Sequence, residues 1–177
     1  MQPISKGFYL GSIVAGMVGG LVLFGIGFIL MISEEEEAGT ALMGLGYIPL
    51  IYGAVIVGIL IYKMWAAIQG PTARTTPGKA VGFLFIPFFN IYWQFQAFWG
   101  WTKDYNALIA QRGIAGRRAP EGLAMAMCIL TLCGIIPVVG MLFSLVNVIL
   151  MFIFYNAAID GANAVITANA QESAPQA

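Results

Sequence analysis

Four apolar stretches occupy most of this chain, and all eight of its Lys and Arg residues lie outside them. Only 9% of the 177 residues are charged, against about a quarter in soluble domains, and the mean hydropathy is +0.86. A soluble fold would lack the polar residues to cover its surface. The sequence therefore predicts an all-α, polytopic membrane helical bundle with about four transmembrane helices. It forms a single domain over residues 1–168, followed by a polar flexible tail at 169–177.

The first two apolar stretches, at about 8–32 and 41–62, are each long enough to cross a bilayer at about 1.5 Å of helix per residue. The first stretch follows the basic residue Lys6, and the apolar region of a signal peptide likewise follows basic residues. The stretch is longer than the cleavable apolar region of about 7 to 15 residues that such peptides carry, so we expect an uncleaved anchor.

The basic residues predict the orientation of the chain. Lys6 precedes the first stretch, and the other seven lie in the two loops after the second and third stretches: Lys63, Arg74, Lys79, Lys103, Arg112, Arg117 and Arg118. The loop with four glutamates at 34–37 carries none. Because cytoplasmic loops are enriched in Lys and Arg, we expect both termini and both basic loops in the cytoplasm and the glutamates outside.

The third stretch, 80–101, cannot cross the bilayer once without placing the most basic loop on the wrong side. Pro87 removes a backbone donor and breaks a helix, and the residues after it are rich in Trp, Tyr and Gln, a composition typical of the membrane interface. We therefore favour a re-entrant or interfacial helical hairpin broken at Pro87. The alternative is a spanning helix with a kink at this proline.

The fourth stretch is too long for one ordinary span, and Pro137 and Gly140 lie near its middle. We expect a hairpin with arms at about 122–136 and 141–159, the first of them only about 22 Å long. A shift of 50 residues aligns Pro87 with Pro137 and Tyr105-Asn106 with Tyr155-Asn156. This match indicates that the third and fourth stretches are copies of one hairpin.

Residues 78–93, GKAVGFLFIPFFNIYW, resemble a signature found in uncharacterised multi-pass membrane domains of bacteria. The resemblance extends over about residues 65–164. It implies a multi-pass protein of the bacterial plasma (inner) membrane. It implies no catalytic residue, because the family has no established active site.

Small residues and a few polar side chains are the candidates for helix packing. Gly7, Gly11, Ala15 and Gly19 share one face of the first helix, and Gly46, Ala54 and Gly58 share a face of the second. These faces join helices within one subunit or between subunits. The candidate polar or lipid contacts are Asn90, Gln94, Asn147, Arg112, Arg117 and Arg118. The amides act as interhelical hydrogen bonders or line a polar path, and each arginine attracts anionic lipid by about 1 kcal/mol.

The sequence offers no constellation for catalysis, metal or cofactor binding. There is no His, and the two cysteines, Cys128 and Cys133, lie within an apolar stretch as packing residues. No basic patch indicates nucleic acid. We expect a small non-catalytic integral membrane protein, a scaffold or accessory subunit whose partners are the bilayer and other membrane subunits or itself. The alternative is a small transporter or channel with a site at the Pro-broken helices.

Overall fold

The computed structural model describes residues 1–33, 35–136 and 139–173, Val139 by its backbone only. Its helices are α1 (Lys6–Ile32), α2 (Glu36–Ala67), α3 (Pro77–Gly82), α4 (Phe89–Gln94), α5 (Trp101–Arg112), α6 (Glu121–Cys133) and α7 (Val139–Glu172). A 3-10 turn, Phe83–Phe85, continues α3, and a π-helical stretch, Phe95–Gly100, joins α4 to α5. Over the described residues no strand occurs. Glu34, Pro137 and the tail at 174–177, which figure in the predictions above, lie outside these residues.

Three helices in the described part of the chain are long and apolar enough to cross a membrane: α1, α2 and α7. The all-α class is confirmed, and the three helices are compatible with a multi-pass membrane protein. Helix α6 is apolar, but its 13 residues measure only about 20 Å, less than the hydrocarbon core of about 30 Å. A fourth full span and a re-entrant hairpin therefore stay predictions.

The predicted single domain consists of two compact units. We call Lys6–Leu60, which contains α1 and most of α2, the hairpin unit. The core unit is formed by Met1–Ser5 and the described chain from Ile61 onwards.

In the hairpin unit, glycines bring the backbones of α1 and α2 into direct contact. A Cβ added to Gly16 would lie 2.7 Å from the carbonyl oxygen of Pro49 and 2.9 Å from the Cα of Gly53. Glycines of α2 recur at every seventh residue, 39, 46 and 53, the period that keeps one face of a helix against its neighbour. Van der Waals contact of this kind drives helix association in lipid. Close approaches recur at Gly20, Gly27, Gly39 and Gly46.

Of the predicted packing residues, Gly46 lies within this seam, and most of the others lie on different faces. Gly11 and Ala15 are exposed, and a Cβ added to Gly11 would meet no atom within 4 Å. Gly19 lies at the edge of the seam, Ala54 is exposed and Gly58 is half-buried. The prediction missed the seam because small residues recur at four-residue spacing on two faces of α1, and only the partner helix selects one.

In the core unit the chain leaves the helical conformation at Pro87, between the 3-10 turn and α4. The next residue, Phe88, has a φ of 62°, rare for a residue other than glycine. The two arms on either side pack together: the indole N–H of Trp93 donates to the carbonyl of Ala80 at 3.2 Å, and the ring of Phe83 lies edge-on to Trp93. The segment 77–112 is thus a helical hairpin, which we call the Pro87 hairpin: α3 and the 3-10 turn form its first arm, and α4, the π-helical stretch and α5 form its second.

Helices α6 and α7 form the second hairpin of the core unit. A Cβ added to Gly140 would lie 2.5 Å from the carbonyl oxygen of Gly134, so the start of α7 and the end of α6 are in direct contact. The tyrosines that the 50-residue shift matches, Tyr105 and Tyr155, are both buried in the second arm of their hairpins. The two hairpins therefore share the arrangement of a short first arm and a long second arm.

Helix α7 continues to Glu172, so residues 169–172 of the predicted flexible tail are helical. The guanidinium of Arg112 holds this end of α7, donating to the side-chain oxygen of Asn169 and to the carboxylate of Glu172, both at 2.7 Å. The polar composition of these residues predicted a flexible tail. The helix was missed because the side chain that holds it belongs to α5, almost 60 residues earlier.

Replacing Gly16 with Ala should destabilise the protein by about 1–3 kcal/mol, because the new methyl group meets backbone atoms that cannot move aside. The matched change Gly11→Ala, on the exposed face of the same helix, should change stability by less than about 0.5 kcal/mol. Thermal unfolding of the purified protein in mild detergent measures both. Equal losses for the two variants would contradict the glycine seam.

Candidate functional site

Two buried tryptophans bind the parts of the core unit together by exchanging hydrogen bonds. The indole N–H of Trp65, near the end of α2, donates to the carbonyl oxygen of Ala97 at 3.0 Å. The indole of Trp101, at the start of α5, donates to the carbonyl oxygen of Met64 at 2.9 Å. Both tryptophans are fully buried. A buried indole N–H needs an acceptor, and here each tryptophan finds it in the backbone beside the other.

The π-helical stretch lies at the centre of this exchange. Its wider turn shifts the backbone register, a feature frequent at functional sites. The carbonyl of Ala97, within the stretch, accepts the hydrogen bond from the indole of Trp65. The carbonyl of Gln94, just before the stretch, accepts a hydrogen bond from the thiol of Cys128 at 3.6 Å. The stretch thereby joins α2 and α6 to the second arm of the Pro87 hairpin.

Tyr105 carries the core contacts towards the loop 113–120. Its ring stacks on Trp101, with centroids 5.2 Å apart and planes 4° from parallel, and its hydroxyl donates to the carbonyl oxygen of Arg117 at 3.0 Å. A Cβ added to Gly161 would lie 2.8 Å from the ring. Only glycine at this position therefore allows α7 to lie against Tyr105. Burial, together with the nearby carboxylate of Asp160, raises the pKa of Tyr105. The hydroxyl therefore remains a donor at physiological pH.

Asparagine side chains clamp two segments onto the core. The buried amide of Asn106 accepts the N–H of Ala119 at 2.8 Å and donates to the Ala119 carbonyl at 3.0 Å and to the Glu121 carboxylate at 2.7 Å. In the same way Asn163 accepts the N–H of Ile4 at 2.6 Å and donates to the Ile4 carbonyl at 2.9 Å. Each amide binds both backbone groups of one residue. The loop 113–120 and the N-terminal segment are thus fixed in position.

Several basic side chains of the core unit have partners within the chain. The guanidinium of Arg74 lies 2.7 and 2.9 Å from one oxygen of Asp104, and the backbone N–H of Arg74 donates to the other oxygen at 3.0 Å. Lys103 lies over the ring of Trp99, 3.4 Å from its centroid, a cation–π contact. Arg112 is held at the end of α7, as described above.

Arg117 and Arg118 both line a crevice of about 300 Å³ between the loop 113–120 and α7. The side chain of Arg118 is 79% exposed, and its guanidinium lies 4.0 Å from the carboxylate of Glu121. Asn156 and Asp160 of α7 face the same crevice. Its apolar wall includes Leu123 and Ile153. Of the predicted candidates, the structure brings Arg117 and Arg118 together here, and it adds Asn156 and Asp160, which the sequence analysis did not select.

The predicted amide contacts lie on separate elements. Gln94 is buried and donates to the carbonyl of Ile91 at 3.2 Å, whereas Asn90 is exposed near the tip of the Pro87 hairpin. Asn147 is buried in α7 and donates to the hydroxyl of Thr131 in α6 at 2.9 Å. Its side-chain oxygen has no hydrogen-bond partner among the described residues.

The crevice suits the binding of a polar group rather than covalent chemistry. It is lined by two arginines, an asparagine and an aspartate beside apolar residues. No group of three or more His, Cys, Asp or Glu residues that could hold a metal ion was found in the part of the chain that the structure describes.

Comparisons with protein-family models, curated proteins and solved structures gave no match to this chain.

Replacing Asn106 with Leu, of similar size, should destabilise the protein by about 2–4 kcal/mol, because the buried backbone groups of Ala119 lose their partners. Asn156 occupies the matching position of the repeat and is exposed. The change Asn156→Leu should therefore cost less than about 0.5 kcal/mol. The difference between their thermal unfolding midpoints in detergent measures the effect. Loss of stability at Asn156 equal to that at Asn106 would contradict the clamp.

Proposed function

We propose that this protein is a small non-catalytic integral membrane protein that acts as a scaffold or accessory subunit of a membrane complex. The observation that carries this proposal is the uncovered apolar surface of the long helices. In α1 only 22% of an apolar stretch of 18 residues is buried within the chain, and in α2 and α7 the corresponding share is 28%. The remaining surface of these helices is available to lipid and to helices of other subunits.

The face of α1 with Gly11 and Ala15 is suited to a partner helix. Gly7, Gly11 and Ala15 follow one another at four-residue intervals and are all exposed. Such small-residue faces allow two helices in a membrane to approach closely, and the seam of α1 with α2 uses a different face. A helix of another subunit, or of a second copy of this chain, is the partner that this chemistry fits.

The Pro87 hairpin supports a re-entrant placement. Its first arm, the nine residues from Pro77 to Phe85, measures about 15 Å, about half of a hydrocarbon core. At its tip Phe85 and Phe88 are 75% and 86% exposed, which is favourable in lipid and unfavourable in water. A re-entrant hairpin keeps the loops before and after it, and hence their basic residues, on the cytoplasmic side of a bacterial inner membrane.

Single cysteines test this topology in a variant that lacks Cys128 and Cys133. A cysteine at Glu35 should react with a membrane-impermeant thiol reagent added from outside, whereas cysteines at Arg74, Arg117 and Ser173 should react only after the membrane is opened. Mass-tag labelling of intact cells measures the reaction. Labelling of Arg117→Cys from outside would contradict the re-entrant hairpin and favour a simple crossing.

The partner face is tested by replacing both Gly11 and Ala15 with Leu. The large side chains should leave the thermal stability of the purified protein within about 0.5 kcal/mol, because the face is open, and should remove the partner chains that co-purify in mild detergent. The control is Gly25→Leu, an equally open position about 21 Å further along α1, which should keep the partners.

Unchanged co-purification with the Gly11/Ala15 variant would contradict this face as the partner site.

The transporter or channel alternative predicts another outcome and is favoured by the buried side-chain oxygen of Asn147, which lacks a partner among the described residues. If the purified protein alone conducts ions or small solutes in vesicles, and Asn147→Leu abolishes that flux without loss of fold, the alternative replaces the scaffold.

A further inference from the structure

We propose that the crevice beside Arg117 and Arg118 binds the phosphoethanolamine headgroup of a membrane phospholipid. Arg117 and Arg118 line it, together with Asn156 and Asp160. Guanidinium groups form strong, geometrically defined hydrogen bonds to phosphate oxygens. The phosphate of the lipid therefore lies against the arginines.

The loop that carries the arginines is held in place before any ligand binds. Tyr105 donates to the backbone carbonyl of Arg117, and Asn106 bonds both backbone groups of Ala119. The hydroxyl of Tyr105 also lies 2.8 Å from the position of a Cβ on Gly116. Because the backbone is fixed by buried side chains, binding requires little ordering of the loop, a saving that favours affinity.

The charges around the crevice favour a headgroup that carries both signs. Arg117 and Arg118 contribute two positive charges, whereas Asp160 lines the crevice and Glu121 lies 4.0 Å from Arg118. These four charges sum to zero, and a purely anionic headgroup gains less than the arginines alone suggest. A carboxylate accepts about four hydrogen bonds, so Asp160 can receive an ammonium group in addition to its contacts within the protein.

The apolar wall gives the lipid tails a path into the bilayer. Leu123 lies in the first turn of α6, and Ile153, which is 49% exposed, lies on α7 two turns before Asp160. The polar groups and this wall adjoin, as the headgroup and the acyl chains of a phospholipid do. The volume of about 300 Å³ is at the lower end of the range for small-molecule sites, appropriate for a headgroup.

Native mass spectrometry of the full chain, delipidated in mild detergent, measures the binding of three lipids with identical acyl chains. Phosphatidylethanolamine should bind about tenfold more tightly than phosphatidylglycerol, which has no cation, or phosphatidylcholine, whose ammonium group has no N–H donor. Arg118→Ala should weaken phosphatidylethanolamine binding about tenfold. Lys79→Ala, which removes the same charge from an exposed position of α3, should leave it within about twofold.

The variant Asp160→Asn should remove the preference for phosphatidylethanolamine over phosphatidylglycerol while binding of a phospholipid continues. Equal or tighter binding of phosphatidylglycerol by the wild type would overturn the proposal. So would unchanged phosphatidylethanolamine binding by the double variant Arg117→Ala/Arg118→Ala, whose altered side chains are exposed and whose fold is checked by thermal unfolding.

The inference rests on the proposed membrane placement and not on the scaffold role. Extraction of the protein from membranes by alkaline carbonate would overturn both the placement and the lipid site. Retention in carbonate-washed membranes, with no preference among the three lipids, would overturn the lipid site alone.

Discussion

The hydrogen bonds between two indoles and two backbone carbonyls are the contacts on which the core unit depends. Trp65 reaches the carbonyl of Ala97, and Trp101 reaches that of Met64, so α2 and the second arm of the Pro87 hairpin are each bound to the backbone of the other. In a membrane a backbone carbonyl without a hydrogen-bond donor costs roughly several kcal/mol, because no water molecule is present to donate instead. A π-helical stretch is tolerated here because a side chain of another helix satisfies its backbone.

From this pair of tryptophans a continuous set of contacts leads to the crevice beside Arg117 and Arg118. Trp101 stacks on Tyr105, and Tyr105 holds the carbonyl of Arg117. The residues that stabilise the fold are thus the residues that fix the basic loop. A ligand that binds only this folded arrangement stabilises it in return, by an amount that grows with the logarithm of its concentration.

The sequence was sufficient for features that depend on local chemistry, and insufficient for those that depend on a distant partner. Hydropathy predicted the long helices, and proline chemistry predicted the break at Pro87. The seam of α1 was missed although Gly16 and Gly20 are four residues apart, because its selection depends on the glycines of α2. The Tyr-Asn repeat drew attention to Asn106, but no local pattern indicates that its partner is Ala119.

The clamp between Asn163 and Ile4 affects the order in which the protein folds. The two residues are 159 positions apart, so the N-terminal segment leaves the ribosome long before its binding site in α7 exists. Contacts between residues so far apart in sequence form slowly because a long loop must close first. The hairpin unit, whose contacts lie within residues 6–60, has all its own parts early in synthesis. Completion of the core unit therefore waits for α7, and the N-terminal segment cannot be clamped before that helix is made.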